Sequence, residues 1–407
     1  MVGAGAAGLM AAIFAARAGA AVDLIERTTD GGRKVLISGG GRCNVLPSVL
    51  APERFVSEAP PHLVRRFLRS WPLDHQRAFF EQDAGIPLAV EDGSGKLFPV
   101  SDRARDVRDG LVRLAVEAGV RFRFATMFEG LEAAGGGWRV RTSGGPIDAA
   151  VVVLATGGLS VPATGSDGTG LRVAEALGHR MVAAYPALTP LVTSPAVHAE
   201  LAGVSLDVRL RAKHDGHVTE ARGGFLFTHR GYSGPAVLDV SHVAVRSRMA
   251  GGARAALRVQ WSPLDRGAWE QVLGEARGLV VTAVTAHLPQ RLAARLLEEA
   301  GVPDDRRAAD LRRHERTGLL DRLESYLLPW TGDEGFKKAE VTGGGVALDE
   351  VDPHTLESRR APGLFLCGEM LDAFGPIGGH NFAWAWATGR AAGLGAAART
   401  AGMTRGV

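Results

Sequence analysis

The chain contains 407 residues, which is enough for two or three domains with sizeable hydrophobic cores. Hydrophobic residues account for 46% of the sequence and charged residues for 22%, a composition that is typical of globular proteins and excludes a disordered or fibrous chain. The two cysteines, Cys43 and Cys367, exclude a disulfide framework, and no uncharged apolar stretch is long enough for a membrane span, so we expect a cytoplasmic protein.

The first predicted feature is a glycine-rich turn at the start of the chain. Residues 1–8 read MVGAGAAG, which is a G-x-G-x-x-G pattern. Gly3 permits a tight turn, Gly5 lets the backbone approach a pyrophosphate, and Gly8 lets the following helix pack closely on its strand. The pattern predicts a dinucleotide-binding site in which the first amides of that helix face the phosphates.

The helix and the strand that follow complete this pattern. An apolar run predicts a helix over residues 7–18, and residues 20–25 predict a strand that leads to Glu26. At the end of such a strand, a carboxylate accepts hydrogen bonds from an adenosine ribose. Only two residues precede Gly3, whereas a strand of about five residues normally precedes this turn. We therefore expect the natural protein to begin upstream of Met1.

A second nucleotide-binding element is predicted near residue 150. Residues 122–128, 138–142 and 147–154 alternate or run apolar between glycine turns, which predicts a small meander. Its last strand leads into VLATGG over residues 153–158, where small residues let a dinucleotide contact the backbone. An ordinary junction between a strand and a turn, without any ligand, would have the same sequence pattern. Only together with the first pattern does it favour FAD over NAD as the tightly bound cofactor.

A third element lies near the end of the chain. Residues 363–369 read GLFLCGE, which predicts a strand ending at a glycine and an acid. Residues 378–383 read GGHNFA and begin a predicted helix that runs through Ala398. The first amides of such a helix can face the pyrimidine end of a flavin, which carries negative charge when reduced. Three elements in this order predict FAD, and no flavin-linkage motif is present, so we expect it to be held non-covalently.

Five stretches of the sequence resemble the BaiN/RdsA family of NAD(P)/FAD-dependent oxidoreductases. They read GAGAAGLMAA, GGRKVLISGGGRCN, VLATGGLSVPATGSDGTG, FTHRGYSGPAVLDVS and TGGGVALDEVDPHTLESRRAPGLFLCGEMLDAFGPIGGHNFAWAWATG. These stretches extend over nearly the whole chain. The most specific of them are SGGGRCN and the segment from Gly368-Glu369 to Gly378-Gly379. The sequence departs from the family at His380, where a tyrosine is common, and over residues 382–386.

The resemblance implies an α/β fold with a Rossmann-like FAD-binding domain of the glutathione reductase type. This domain would comprise residues 1–190, with a truncated first strand, and residues 340–407. Residues 191–262 carry strand patterns that predict an inserted β-rich substrate domain, and residues 263–339 carry helical patterns that predict a helical subdomain. The clearest of these helices are predicted over 288–300 and 308–328, with Gly301 and Asp304-Asp305 as caps.

The motifs and the resemblance together predict FAD contacts from backbone amides, small residues and a few polar side chains. These residues are Gly3, Gly5, Ala6, Ala7, Gly8, Glu26, Arg27, Gly32, Arg33, Ser38, Gly40, Gly41, Arg42, Cys43, Asn44, Met127, Ala155, Thr156, Gly157, Gly158, Gly368, Glu369, Asp372, Gly378, Gly379, His380, Asn381 and Ala383. No second G-x-G-x-x-G is present, so NAD(P)H is expected to visit the flavin only transiently. No metal-binding motif is present, and no metal site is expected.

Four residues are candidates for proton transfer: Cys43, His229, Tyr232 and His380. Cys43 lies beside Arg42, which would lower the pKa of its thiol, or it is a small buried residue of the flavin pocket. His229 and Tyr232 follow a predicted strand on a loop, where His229 either acts as a general acid near the substrate or caps the loop. His380 either binds the flavin or the substrate, or only fixes the start of its helix.

The sequence favours a flavoenzyme that reduces an activated C=C bond with electrons from NAD(P)H. The resemblance implies two different acceptors, a small or steroid-like enone or a uracil ring in ribosomal RNA. A net charge of +3 and the arginine clusters near residues 65–69, 103–108 and 306–316 are the only direct support for RNA. A non-catalytic FAD-binding protein is the third alternative.

Overall fold

The computed structural model describes residues 1–404, which form two compact units. The first contains Met1–Tyr185 and the chain from Glu340 onward, and the second contains Pro186–Ala339. The first boundary therefore lies after Tyr185, whereas the sequence pattern suggested residue 190. Within residues 1–404, no helix is both long enough and apolar enough to span a membrane.

A parallel sheet forms the centre of the first unit. Its order across the sheet is Arg121–Arg123, Asp23–Ile25, residues 1–2, Val152–Leu154 and Leu364–Leu366. Val2 forms parallel bridges to Ile25 and to Leu154, and the Gly3 N–H donates to the Ile25 carbonyl at 2.8 Å. The two residues before the glycine turn therefore pair on both sides, in the central position that a dinucleotide-binding fold gives its first strand.

Three smaller sheets hold the other strands of this unit. One consists of Leu46–Pro47, Lys96–Pro99 and Leu88–Glu91, and another pairs Met181–Ala187 with Val341–Val346. The third is the meander Phe128–Ala134, Gly137–Thr142 and Ile147–Ala149. The prediction that residues 122–128 begin the meander is wrong, because Arg121–Arg123 pairs in parallel with Asp23–Ile25 in the central sheet.

Seven α-helices within the described residues cover these sheets. They are Ala6–Arg17, Arg33–Ile37, Pro61–Arg69, Leu73–Ala78, Ala104–Glu117, Thr169–Ala176 and His380–Thr404. The first and last of these helices pack together closely. A Cβ on Gly389 would lie 2.3 Å from the Ala7 carbonyl oxygen, and a Cβ on Gly393 would lie 2.2 Å from the Ala11 carbonyl oxygen. The glycines of the C-terminal helix thus let it lie directly on the backbone of the N-terminal helix.

The second unit is built on a seven-stranded antiparallel sheet. Its order is Tyr326–Leu327, Ala256–Gln260, Ser205–His214, His217–Thr228, Gly231–Ser233, Leu191–Val192 and Gly332–Asp333. Burial alternates along its long strands, so that Val208, Leu210 and Ala212 are buried on one face. The buried face belongs to the core of this unit, together with Trp261 and Trp269.

The helices of the second unit are Pro235–Met249, Arg266–Glu275, Val280–Thr285, Gln290–Glu299 and Arg313–Glu324. The predicted division at residue 262 does not describe this unit, because Tyr326–Leu327 belongs to the sheet and Pro235–Met249 lies among the strands. The predicted helix over 308–328 begins instead at Arg313. The Glu315 carboxylate accepts a hydrogen bond from the N–H of Arg312, so the helix start is capped there and not at Asp304-Asp305.

Candidate cofactor site

The glycine-rich turn leads directly into the helix Ala6–Arg17. Gly3 has a φ of +97°, and a Cβ on this residue would lie 2.6 Å from the Ala155 carbonyl oxygen. A Cβ on Gly8 would lie 1.8 Å from the Gly3 carbonyl oxygen. Both glycines are therefore required by the packing of the chain on itself. A Cβ on Gly5 would meet no atom of residues 1–404 within 4 Å, so the backbone there borders open space. No described side chain caps this helix, which leaves the first-turn amides available to a phosphate, those of Ala6 and Ala7 included.

Glu26 follows the strand Asp23–Ile25 and turns its carboxylate back toward the glycine turn. Its Oε2 accepts a hydrogen bond from the Ala4 N–H at 2.9 Å, and its Oε1 accepts from the N–H and hydroxyl of Thr28 at 2.8 and 2.7 Å. The residue is only 9% exposed. An ionised carboxylate has about four acceptor positions, so Glu26 retains capacity for a further donor. The bonds to Ala4 and Thr28 were not predicted, and they tie the strand end to the turn.

Two more predicted residues lie close to this turn. The Thr126 N–H donates to the Glu26 carbonyl at 2.9 Å, which places the half-exposed Met127 beside the strand end. The Gly32 N–H donates to the Ala4 carbonyl at 2.8 Å. Met127 and Gly32 are thus gathered with the glycine turn although they come from separate loops.

Arg27 and Arg33, which were also predicted as cofactor contacts, are held in ion pairs. Arg27 donates to Asp167 at 2.5 Å, and Arg33 donates to Asp30 at 2.8 Å. More than a third of the side-chain surface of each arginine is exposed. Each guanidinium can therefore still approach a phosphate without losing its partner.

The glycine-rich loop Ser38–Gly41 presents exposed backbone. Gly40 and Gly41 have φ values of +67° and +87°, and a Cβ on Gly40 would meet no atom of residues 1–404 within 4 Å. The Ser38 hydroxyl donates to the Val35 carbonyl at 2.8 Å. This loop therefore offers backbone, and not side chains, to a ligand.

Cys43 and Arg42 do not behave as the sequence predicted. Arg42 donates to Asp102 and to Glu91, each at 2.8 Å, and its guanidinium lies 4.0 Å from the centre of the Phe98 ring. The Cys43 thiol is fully buried, and this burial raises its pKa to about 12. The prediction that Arg42 lowers this pKa is wrong, because Arg42 is engaged by two acids and desolvation dominates at the thiol. The burial of this thiol favours the alternative that Cys43 is a small buried residue of the pocket.

Asn44 joins this loop to the start of the C-terminal helix. With its amide oriented to satisfy both neighbours, it accepts from the Gly379 N–H at 3.0 Å and donates to the Leu46 carbonyl at 3.1 Å. The Asn381 side chain bonds both backbone groups of Gly375, at 2.8 and 2.9 Å. Both predicted asparagines therefore shape the backbone of the site.

The other predicted residues near this helix are enclosed by the protein. Asp372 is 3% exposed and accepts from the Ser57 hydroxyl at 3.2 Å and the Glu58 N–H at 2.8 Å. Ala383 is fully buried. Gly378 has a φ of +118°, so its backbone takes a course that other residues rarely adopt. Asp372 and Ala383 therefore support the loop from within.

The strand Val152–Leu154 and its VLATGG continuation meet the first glycine turn. The Ala155 N–H donates to the Val2 carbonyl at 2.9 Å, and the Thr156 hydroxyl donates to the sulfur of Met370 at 3.3 Å. Two glycines follow, and Gly157 has a φ of +73°. A Cβ on Gly158 would lie 2.3 Å from the Thr342 hydroxyl. The second predicted element thus contacts the first, as expected.

Gly368 brings the third element to the same place. A Cβ on Gly368 would lie 2.7 Å from the Cβ of Ala7, and its N–H donates to the Thr388 hydroxyl at 3.0 Å. Its carbonyl accepts from the Trp384 indole at 3.0 Å, so this tryptophan is bonded within the protein. The end of the strand Leu364–Leu366 therefore lies against the first turn of the N-terminal helix.

A polar cluster that we call the Lys34 network was missed by the sequence analysis, apart from Glu369. Lys34 Nζ donates to Glu369 Oε2 at 2.7 Å and to the Ser160 hydroxyl at 2.6 Å. Glu369 Oε1 accepts from the Ser160 hydroxyl at 2.5 Å and from the Thr342 N–H at 2.9 Å. One signal was present in the sequence, because Lys34 is one of only five lysines and lies in the GGRKVLISGGGRCN stretch.

His380 begins the C-terminal helix and is the predicted residue with the most unusual environment. It is 4% exposed, and neither ring nitrogen has a hydrogen-bond partner within residues 1–404. Burial, with a smaller contribution from the positive charge of Arg54, lowers its pKa to about 4. The imidazole is therefore neutral at pH 7 and carries one N–H. A buried polar group without a partner costs about 1–3 kcal/mol, so a hydrogen bond from a bound molecule to this ring would stabilise it.

His229 and Tyr232 lie in the second unit and are not brought together. His229 is exposed on the turn between the strands His217–Thr228 and Gly231–Ser233. Tyr232 is fully buried, its hydroxyl lies 2.8 Å from His198 Nδ1, and burial raises its pKa well above the ordinary value. The expectation that Tyr232 lies on a ligand-binding loop is wrong, because its ring packs in the core of this unit.

Comparison with known sequences places the chain in a family. The family described as "HI0933-like protein Rossmann domain" matches residues 1–395. The chain belongs to this HI0933-like family. It is 33% identical to the 3-dehydro-bile acid delta(4,6)-reductase of Clostridium scindens, over 98% of each chain. It is 32% identical to the ribosomal RNA dihydrouridine synthase of Escherichia coli, over 95% of each chain. The resemblance stated from the sequence motifs is therefore confirmed.

Solved structures support the same fold for this HI0933-like protein. A 3-ketosteroid delta1-dehydrogenase from Sterolibacterium denitrificans is 14% identical with a TM-score of 0.53, and 98% of each chain is covered. A quinol-fumarate reductase is 16% identical with a TM-score of 0.51, covering 98% of this chain and 70% of its own. The predicted fold class is confirmed: the protein has a Rossmann-type FAD-binding domain.

The residues of this HI0933-like chain fit FAD. Open space at Gly5 and uncapped first-turn amides suit a pyrophosphate, and Glu26 has the strand-end position of the acid that binds a ribose in dinucleotide folds. At the other end, the unpartnered nitrogens of His380 lie beside Gly379 at the start of a 25-residue helix. The three predicted elements, near residues 3, 155 and 368, meet in one unit, as a single dinucleotide requires.

Proposed function

We propose that this protein is an FAD-dependent oxidoreductase that reduces a C=C bond conjugated to a carbonyl group, with NAD(P)H as the electron source. One observation carries the proposal: two relatives of nearly equal identity, at 33% and 32%, act on very different molecules. A delta(4,6)-reductase of a 3-dehydro-bile acid and a dihydrouridine synthase both saturate such a bond. The two relatives share the reaction type and differ in the substrate, so the proposal for this chain extends to the reaction type.

The turn end of the site, which comprises residues 3–8 and Glu26, is proposed to hold the ADP half of FAD. Gly5, Ala6 and Ala7 would direct amides at the pyrophosphate, and the Glu26 carboxylate would accept from the ribose. Arg27 and Arg33 retain exposed guanidinium surface for a phosphate oxygen. Met127 and Gly32 would border the adenosine.

The helix-start end is proposed to hold the flavin. It comprises residues 378–381, the loop 38–44 and the Lys34 network. Positive partial charge at the first turn of His380–Thr404 would stabilise negative charge on the flavin ring. Asn44 and the Lys34 network fix the loops whose backbone would border the ring. When bound, FAD would supply hydride transfer to the acceptor.

His380 is proposed to orient the acceptor or the flavin through its N–H. Its pKa of about 4 keeps the ring neutral near pH 7, so the ring donates one hydrogen bond and accepts another. A carbonyl oxygen conjugated to the reducible bond is a suitable acceptor for that N–H. The buried surroundings exclude water that would otherwise compete for the same hydrogen bond.

The first experiment tests cofactor and reductant. Purified protein should be yellow and carry about one releasable FAD per chain, and NADH or NADPH should bleach it without oxygen. Intersecting double-reciprocal lines for NAD(P)H and acceptor would contradict a transient visit of the nicotinamide. A protein that binds FAD but is never bleached by either nucleotide would be a binding protein and not an oxidoreductase.

A second candidate function is reduction of uridine in ribosomal RNA. It is supported by the names of two ribosomal RNA dihydrouridine synthases, from Escherichia coli and Haemophilus influenzae, at 32% and 29% identity over at least 95% of this chain. Mass spectrometry of ribosomal RNA from a deletion strain separates the candidates. Loss of dihydrouridine, restored by the gene, supports the RNA substrate; unchanged RNA together with turnover of 3-keto-4-ene steroids supports the small enone.

A further inference from the structure

The exposed face of the sheet in the second unit carries an excess of positive charge. We call it the outer sheet face, and it is formed by alternate residues of three neighbouring strands. The paired rows place Arg209 opposite Arg222 and Arg211 opposite both Glu220 and Arg258. The charged residues on this face are Arg209, Arg211, Lys213, Arg222, Arg258, Asp207 and Glu220.

Strand geometry fixes these side chains on one side. Val208, Leu210 and Ala212 are buried in the core, so the residues between them point outward. Arg211 and Arg222 have 55% and 73% of their side-chain surface exposed. From Arg209 to Lys213 the face extends about 13 Å along the strand, and three strands span about 10 Å.

The acids on this face do not balance the cations. Glu220 pairs with Arg209 at 2.8 Å, Arg211 at 3.1 Å and Arg222 at 3.5 Å, so one carboxylate is shared by three guanidiniums. Arg258 donates to the Ser325 carbonyl. Within residues 1–404, Lys213 has no ion-pair partner. Three exposed arginines of the first unit are paired differently, each with an acid of its own, in Arg139–Asp148, Arg113–Glu117 and Arg180–Asp349.

We propose that the outer sheet face binds the phosphate backbone of double-helical RNA. Four of its five cations are arginines, whose planar fork matches phosphate oxygens better than an ammonium does. A flat array of cations with a surplus of charge suits a polyanion and releases its counterions. The inference rests on the second candidate function, reduction of uridine in ribosomal RNA, because it names the surface that would hold that substrate.

The same face argues against two other anionic partners. The outward positions of the strands Ser205–His214, His217–Thr228 and Ala256–Gln260 contain no aromatic residue, so unpaired bases have nothing to stack on. Membrane surfaces are held by bulky apolar or aromatic side chains next to the basic residues. Here the exposed apolar residues are single ones, Val218 and Leu327. Double-helical RNA is recognised mostly by its shape and by contacts to phosphates and 2′-hydroxyls, which need no aromatic residue.

The test uses the full FAD-loaded chain and a fluorescein-labelled RNA hairpin. Anisotropy is measured over a range of salt concentrations for the wild type and for the triple variant Arg211→Gln, Arg222→Gln and Arg258→Gln. We expect the variant to bind at least about tenfold more weakly at low salt, with a slope of log K against log salt that is smaller by about 3. FAD content and melting temperature should stay at wild-type values.

Two further variants make the test specific. Glu220→Gln should bind the hairpin more tightly, because it releases three arginines from a competing carboxylate. The matched control Arg113→Gln, Arg139→Gln and Arg180→Gln removes the same charge elsewhere and should bind like the wild type.

The proposal is overturned if the wild type does not bind the hairpin, if the control loses as much affinity as the triple variant, or if single-stranded RNA or phosphatidylserine vesicles bind better. Anaerobic bleaching by NAD(P)H is recorded on the same samples. Failure of RNA binding with intact bleaching therefore overturns this proposal and leaves the proposed reductase standing.

Discussion

The turn end and the helix-start end of the candidate site are built in different ways. At the turn end, Gly3, Gly5, Gly8 and Glu26 come from one short stretch of chain, and their contacts are made mainly by backbone. At the helix-start end, Lys34 reaches Ser160 across 126 positions and Glu369 across 335. The first arrangement is a local consequence of sequence, whereas the second exists only once distant segments have packed. We therefore expect the two ends to respond differently to mutation.

The largest effect is expected at Gly8. Gly8→Ala would place a methyl group 1.8 Å from the Gly3 carbonyl oxygen, so the backbone of the turn must move. We expect the apoprotein to lose about 1–3 kcal/mol of unfolding free energy and to retain little FAD. Urea denaturation of the apoprotein and the absorbance of the purified protein measure the two losses.

Gly5→Ala is the matched control within the same turn. A Cβ at Gly5 meets no atom of residues 1–404 within 4 Å, so we expect apoprotein stability to change by less than about 0.5 kcal/mol. FAD affinity should nevertheless fall, because the methyl group occupies space needed by the pyrophosphate. Unchanged FAD affinity in Gly5→Ala would show that the open space at Gly5 does not serve a ligand.

Glu26→Ala should weaken FAD binding by about 10- to 100-fold, since a charge-assisted hydrogen bond contributes roughly 1.5–3 kcal/mol. Calorimetric titration of the apoprotein with FAD measures this loss. Asp23→Asn is the control, because Asp23 lies on the same strand and pairs with Arg121 and Arg123. Unchanged affinity in Glu26→Ala would remove Glu26 from the site.

His380 should make the helix-start end sensitive to acid. Its pKa is about 4 in the folded protein and about 6.5 when unfolded, so the proton binds more tightly to the unfolded chain. The stability due to the neutral ring is present above about pH 6.5 and is lost as the pH falls toward 4. At pH 5 the loss relative to His380→Phe should reach about 2 kcal/mol. The prediction is contradicted if the unfolding free energies of the wild type and His380→Phe, measured by denaturation, change by the same amount between pH 7 and pH 5.

The smallest effect is expected from the Lys34 network. Lys34→Met removes one partner of a pair whose side chains are 26% and 19% exposed, so water screens part of the loss. We expect about 1 kcal/mol of destabilisation and a modest loss of FAD affinity, both measured on purified protein. Lys338→Met, at an exposed lysine, is the control. No difference between the two variants would mean that this network does not support the site.

The sequence analysis predicted the fold class, the glycine turn and the three elements that meet around it, because each depends on local patterns of small and apolar residues. It could not predict which side chains become buried. Cys43 and Arg42 are neighbours in sequence, yet Cys43 is buried in the core whereas Arg42 forms hydrogen bonds with two acids. Tyr232 and His229 are separated by one turn, and only packing decides that the tyrosine is buried. The Lys34 network was missed because its members are far apart in sequence.

The packing of Gly389 and Gly393 against Ala7 and Ala11 has a consequence for the order of synthesis. The helix Ala6–Arg17 finds its partner in the helix His380–Thr404, which is made much later, so the FAD-binding unit cannot close until that later segment has been synthesised. The unit Pro186–Ala339 is continuous in sequence and meets no such delay. During synthesis the inserted unit can therefore fold first, while the nascent N-terminal helix, apolar on all sides, depends on other contacts for protection.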